Sequence, residues 1–386
     1  MGATNAGIVT TTCLADSEIS LFLMINTFET GGSERQFTVL AQNISESAFR
    51  IHLGCVSRRG PLADQVGDVA QFPLGGSLFG WKSLRSRLNL SRHLRSRHVQ
   101  VAHAFDFYAN LTLIPAAHFV RVPVIIGSHR QLGDLLTPAK FRAQTTAFRW
   151  CDAVTCNSQA AADRLAAAGV PHEKLAVIGN ALLPAALEPA PAALPRRPDK
   201  LRVGMVARMN AHYKNHVGFL RIAAQIHQCM PDVEFLLVGD GSLRPELEQQ
   251  AAALGLGDRV VFLGDRRDIP AVLASMDVAV LTSDSESLSN AILEAMAARL
   301  PVVAYNVGGN AELVNDQRGF LIDSENEKIF ANAIQRLLSD ANLRKQKGEN
   351  ACRFVRENFG IDRVRRRYED LYMTLLKKKR GSKLIQ

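Results

Sequence analysis

Aromatic residues make up only 6% of the 386 residues, with two tryptophans. That scarcity argues against a nucleic-acid surface, which needs rings interleaved with its cations for bases to stack on. No apolar run approaches the roughly 18 residues of a membrane-spanning helix. The first twenty residues lack a basic start and carry Asp16 and Glu18, so no standard secretion signal is expected. Six cysteines are scattered, and Cys151 and Cys156 stand too far apart for a C-x2-C redox or zinc pair. Reduced thiols in a cytoplasm are the expectation. There is no G-K-[ST] of a P-loop and no D-x-D triplet.

With 47% hydrophobic and 22% charged residues the chain is a folded globular protein, and its length suits two domains better than one core. The net charge of +9 favours an anionic partner: nucleotide, phospholipid surface or nucleic acid.

Short apolar runs alternate with longer helical patterns, which predicts parallel α/β layers. The first half holds strand candidates at 19–26, 51–57, 99–103, 123–128, 153–156 and 175–179. The second half holds them at 201–207, 234–239, 260–264, 278–283, 301–305 and 319–323. Between them, the proline- and alanine-rich stretch 184–200 denies helix continuation and strand pairing and reads as a linker. The expected architecture is two doubly wound, Rossmann-like domains facing a cleft at the carboxyl ends of their strands. Residues 1–183 form the first domain and 201–360 the second, and 361–386 form a closing helix.

The densest signal runs from Ser283 to Val314. Glu286 falls in a loop after a strand, and Glu294 falls inside the helix expected from near Ser289. Two carboxylates so placed can address two ends of one ligand, and vicinal diols of a sugar and a ribose complement their paired oxygens. The succession E-x7-E, EAMA, PVVA and GG-x-x-E, carried by Glu286, Glu294, Pro301, Gly308, Gly309 and Glu312, resembles the donor-site signature of glycosyltransferase family 4, the group 1 glycosyl transferases. Ser287 stands where that family usually has glycine, and Arg299 where a small residue ends the helix.

The resemblance implies a GT-B fold and transfer of a sugar from a nucleoside diphosphate sugar to a hydroxyl with retention of configuration. Arg208 and Lys214, six residues apart after a strand, resemble the family's R-x5-K pair. Two cations in a closed cleft stabilise the charge growing on a departing diphosphate without a metal. The resemblance places Glu286 on the sugar, Glu294 on the ribose, and Ser287, Leu288 and Ser289 on the donor. Gly31 and Gly32 open a helix after the first strand; glycine permits positive φ and close approach, and the helix start offers N–H groups to phosphate. Gly239 and Gly241 form a turn assigned to the donor side. His129, at a strand end, is expected near the donor sugar. His103 and Arg130 are candidates for the acceptor. No cofactor or metal is called for.

Residues 81–98 carry Trp81, Leu84, Leu88 and Leu94 at near-helical spacing, with many arginines and no acid. Such a helix suits an anionic lipid surface and a lipid-linked or glycan acceptor. That gives a cytoplasmic enzyme, peripheral at the inner face of a membrane. A nucleotide-sugar epimerase of the same fold, and a basic nucleic-acid-binding protein, are the alternatives.

Overall fold

Runs rich in Val, Ile, Leu and Phe that are apolar on both faces fit strands covered by helices above and below. The computed structural model describes residues 18–195, 200–324 and 326–383. Its first sheet contains β1 (Ile19–Ile25), β2 (Phe49–Cys55), β3 (Val69–Gln71), β4 (Val101–Ala104), β5 (Val124–His129), β6 (Ala153–Cys156) and β7 (Leu175–Val177). The second contains β8 (Arg202–Val206), β9 (Glu234–Val238), β10 (Val260–Gly264), β11 (Val278–Leu281), β12 (Val302–Tyr305) and β13 (Gly319–Ile322). All pairings are parallel. Only β3 escaped the sequence pattern, because Val69-Ala70-Gln71 holds two apolar residues between polar ones and makes no apolar run.

The strand orders are β3-β2-β1-β4-β5-β6-β7 and β10-β9-β8-β11-β12-β13. Each order reverses once, between β1 and β4 and between β8 and β11. Ligand crevices of doubly wound sheets open at such reversals, outside the carboxyl ends of the strands. The loop after β1 leads to Gly31 and Gly32. The loops after β8 and β11 carry Arg208, Lys214 and Glu286.

Alternation along β1 divides the first core. Leu21, Leu23 and Ile25 face one layer; Phe22 and Met24 face the other, under helices Trp81–Ser96 and Phe107–Phe119. The first layer is covered by the helix Ile361–Lys383, whose Val364, Tyr368, Tyr372 and Leu376 belong to that core. The chain thus crosses between halves twice, and the crossings pair: Leu182 N donates to Phe359 O at 2.8 Å and Ile361 N to Leu182 O at 3.0 Å.

Within the expected linker, Pro184–Leu187 forms one helical turn, against the expectation of none. Proline at the first helical position lacks only an N–H that has no partner there anyway. Ala193 N and Leu194 N then bond Ala271 O and Ser275 Oγ, fastening the segment to the second half. Residues 196–199 of it lie outside the described residues, as do residues 1–17.

Asp106 fixes the approach to the cleft. Its carboxylate caps the helix Phe107–Phe119 by accepting from Ala109 N at 2.9 Å, and also accepts from Asn26 N at 2.6 Å, where β1 ends. Burial pushes its carboxyl up to about 6, against those backbone donors.

Candidate active site

Where the two reversals face each other lies a cavity of about 260 Å³. Gly32, Arg130, Asn157 and Asn180 line it from the first half. Arg208, Tyr213, Lys214, Glu286, Ser287, Leu288, Ser289 and Asn290 line it from the second. The sequence-predicted pair Arg208 and Lys214 is therefore brought together with Glu286, whose Oε1 accepts from Lys214 Nζ at 2.6 Å.

Local chemistry explains why Lys214 is held there. It ends a 3-10 turn, His212–Lys214, after which Asn215 adopts a left-handed conformation (φ 52°) that asparagine tolerates. Asn215 Oδ1 caps the next helix through Gly218 N, its Nδ2 donates to Asp284 Oδ1, and its carbonyl accepts from Thr282 Oγ1. Asp284 N in turn bonds Tyr213 O at 2.8 Å. The loops after β8 and β11 are thus knitted into one wall.

Ser289 caps the helix Asn290–Ala297 by accepting from Ile292 N. Arg299, just beyond that helix, takes φ 60°, the left-handed conformation its position demands. Ser287, where glycine was the expectation, has a use for its side chain: Oγ donates to Asn157 Oδ1 at 2.5 Å and lies 3.1 Å from Ser158 Oγ in the other half. Glu312 also crosses between halves, accepting from Gln159 N and Ala160 N at the start of the helix Gln159–Ala167.

Several expectations are corrected. Gly31 and Gly32 do not need positive φ; Gly31 is extended at −98°. At Gly31 a Cβ would meet only the carboxylate end of the Glu34 side chain, which would have to move aside. Burial raises the Glu34 carboxyl above its ordinary value, opposed by its own backbone hydrogen bond and by Arg208 and Arg130. Gly239 and Gly241 lie outside the cavity lining. They have positive φ, and Cβ atoms there would strike Ala207 O and the Met209 carbonyl, so the turn buttresses the loop carrying Arg208.

His103 is a core residue rather than an acceptor contact. It is fully buried, with Nδ1 2.7 Å from Tyr372 Oη and Nε2 2.8 Å from Ser128 Oγ, and burial drives its pKa down to about 3. His129 is fully buried behind the cavity wall instead of lining it, and its neighbour Arg130 takes that place. Gln144 Nε2 donates to His129 Nδ1 at 2.9 Å, Nε2 has no partner, and burial lowers the imidazole to about 4, keeping it neutral.

Glu294 stands one helical turn beyond the cavity wall, bonded to Arg35 of the first half. Burial raises its carboxyl, and Arg35 counters. Asn157, Asn180, Tyr213 and Asn290 were not singled out in the sequence. Asn180 carries the clearest signal in retrospect, a polar residue between a strand and the proline-rich segment. The predicted apolar face Trp81–Leu94 divides in two: Leu90 and Leu94 are buried, while Trp81, Leu84 and Leu88 are exposed at 76%, 47% and 40%, beside Phe79 at 90%.

The family model for Glycosyltransferase Family 4 matches residues 30–182, and that for Glycosyl transferases group 1 matches residues 200–340. The chain is 30% identical over 313 residues to the lipopolysaccharide core biosynthesis mannosyltransferase LpcC of Rhizobium leguminosarum bv. viciae, covering 77% of this chain and 83% of that protein. It is 28% identical to a UDP-Gal:alpha-D-GlcNAc-diphosphoundecaprenol alpha-1,3-galactosyltransferase of Escherichia coli, covering 85% and 90%. Two further relatives are matched over only 40% and 43% of their length. The crystal structure of Anabaena HepE in complex with UDP superposes with a TM-score of 0.81 at 23% identity, over 92% of this chain and 100% of that one, and both share the GT-B fold.

Proposed function

Because the chain belongs to glycosyltransferase family 4, the group 1 glycosyl transferases, we propose that it transfers a sugar from a nucleoside diphosphate sugar to a hydroxyl of a glycan or lipid-linked acceptor, with retention and without a metal. The observation that carries this reading is the cavity itself, where Arg208, the Lys214–Glu286 pair and the helix start at Gly32 converge. As the glycosidic bond breaks, negative charge grows on the diphosphate, and cations already fixed in place stabilise it without reorganising. Glu286 serves twice, accepting from sugar hydroxyls and holding Lys214. The departing phosphate takes the acceptor proton. Relatives whose names specify lipopolysaccharide core and a diphosphoundecaprenol acceptor, and a structural neighbour solved with UDP, support the donor and acceptor classes.

The acceptor side is the first half, where the exposed stripe Phe79, Trp81, Leu84 and Leu88 lies among Lys82, Arg85 and Arg92. We place that stripe on the cytoplasmic face of an anionic membrane. Among the described residues no helix is long and apolar enough to cross one.

The test begins with thermal-shift titration against UDP, GDP and ADP and their hexose forms in excess chelator. One base series should raise the melting temperature. Turnover of that donor should fall about 10² to 10³-fold in Lys214→Ala and in Arg208→Ala, each still folded. No shift with any nucleotide, or near-normal turnover in both variants, defeats the proposal.

A further inference from the structure

Asn180 lies between β7 and the crossing at Leu182, is 2% exposed, and uses its whole amide. Its Oδ1 accepts from Arg130 Nη2 at 2.5 Å; its Nδ2 donates to Leu288 O at 3.1 Å and to Asn290 Oδ1 at 2.7 Å. Arg130 directly follows β5 in the first half, whereas Leu288 and Asn290 belong to the loop and helix start that follow Glu286 in the second. One side chain therefore joins a cation of one domain to the donor loop of the other.

The Arg130 guanidinium is confined on its remaining sides. Tyr368 Oη accepts from Nη1 at 3.3 Å, the Phe105 ring lies 5.8 Å from its carbon, and its buried Nε has no partner. Arg130 lines the same cavity as Arg208 and Lys214, and together with Arg208 it acts on the Glu34 carboxylate. A free arginine side chain spreads over many rotamers, so a clamp that fixes it beforehand lowers the cost of ordering it around an anion. Tyr368 and Phe105 both pack within the first core, and only the Asn180 arm depends on the second half.

Resting on the glycosyltransferase reading, we infer that Asn180 is a positioning residue: it holds Arg130 over the cavity as a third cation for the donor diphosphate. It does so only while residues 288–290 are seated against the first half. The clamp ties the presentation of positive charge to closure of the two domains around the nucleotide.

The experiment compares binding of UDP and of uridine by calorimetry in wild type, Arg130→Ala, Asn180→Ala and the double variant, with GDP and ADP pairs used in turn if wild type does not bind UDP. Loss of one charge-assisted contact to phosphate predicts about 10-fold weaker UDP binding in each single variant, with uridine unchanged within about 2-fold. The double variant should bind UDP no more weakly than Arg130→Ala alone, because Asn180 acts through Arg130. A merely structural asparagine gives the opposite pattern: uridine and UDP weaken together, or the two losses multiply. Either result overturns the inference while leaving the glycosyltransferase reading intact. If wild type binds none of the three diphosphates, that reading fails and the inference with it. Should Asn180→Ala unfold below the assay temperature, Asn180→Ser gives the same readings, since its shorter hydroxyl cannot bridge Arg130 and Leu288 together.

Discussion

Arg35 and Glu294 close the cleft with an ion pair: Arg35 Nη1 stands 2.5 Å from Glu294 Oε1, the arginine side chain 51% exposed and the glutamate 15%. The two residues are 259 positions apart and belong to different halves. The carboxylate assigned to the nucleotide ribose therefore already has a cationic partner, and a ribose diol must share or displace it.

Competition of this kind has a sign. Arg35→Ala should tighten nucleoside diphosphate binding by about 3 to 10-fold, because the ribose diol no longer competes with the guanidinium for the Glu294 carboxylate. Glu294→Gln should weaken it by an order of magnitude or so, as a charge-assisted hydrogen bond becomes neutral. Calorimetric titration reads both, and an Arg35→Ala variant that binds more weakly than wild type would sink the ribose assignment.

The exposed stripe on the helix Trp81–Ser96 leads to a second expectation. Liposome co-sedimentation should rise with the anionic lipid fraction and fall with salt, since each arginine near the surface contributes up to about 1 kcal/mol and is screened within a Debye length. Trp81→Ser with Leu84→Ser should reduce binding several-fold at unchanged charge. Binding that survives both substitutions would mean that the stripe does not touch lipid.

Asp106 predicts a pH dependence. Its folded pKa, raised to about 6, exceeds the unfolded value of about 3.9. Its contribution to stability is therefore fully present below about pH 4 and is lost as pH rises through about 6. Asp106→Asn removes this titration. The unfolding free energy of the variant, relative to wild type, should therefore improve between about pH 4 and pH 6 and stay level above that. A flat difference across the window, measured by urea denaturation, would contradict the assignment.

Arg299 offers a stability gain without touching the chemistry. A side chain at φ 60° bears a cost that glycine avoids, so Arg299→Gly should stabilise the chain by about 0.5 to 1 kcal/mol, visible as a rise of about 1 °C in Tm. A lower Tm would mean that contacts of the Arg299 side chain outweigh the backbone strain.

The sheets were legible because each strand except β3 is a short apolar run between turn residues, and the cleft followed from where such sheets reverse. Arg208, Lys214 and Glu286 were legible because each lies in a loop that follows a strand, within a short motif that a local reading can match. His103 was misread from the same kind of cue. It lies near the end of β4, but the tyrosine that buries it, Tyr372, lies 269 residues away, and no local pattern reports that. Asn157 and Asn180 stayed hidden because their partners, Ser287 and Asn290, sit in the other half. A contact across a cleft leaves no periodicity in either segment.

The pairing of the two crossings at Leu182 and Gly360 bears on the order in which the molecule can be made. The helix Ile361–Lys383 covers one face of the first sheet, yet it leaves the ribosome only after the whole second domain. A nascent chain ending at Leu182 has all seven strands of that sheet but leaves Leu21, Ile25, Phe49 and Ile126 without the lid supplied by Tyr368, Tyr372 and Leu376. The earlier-made domain must wait, partly uncovered, for the later one, so the cleft and the finished first core are completed by the same later-made stretch of chain.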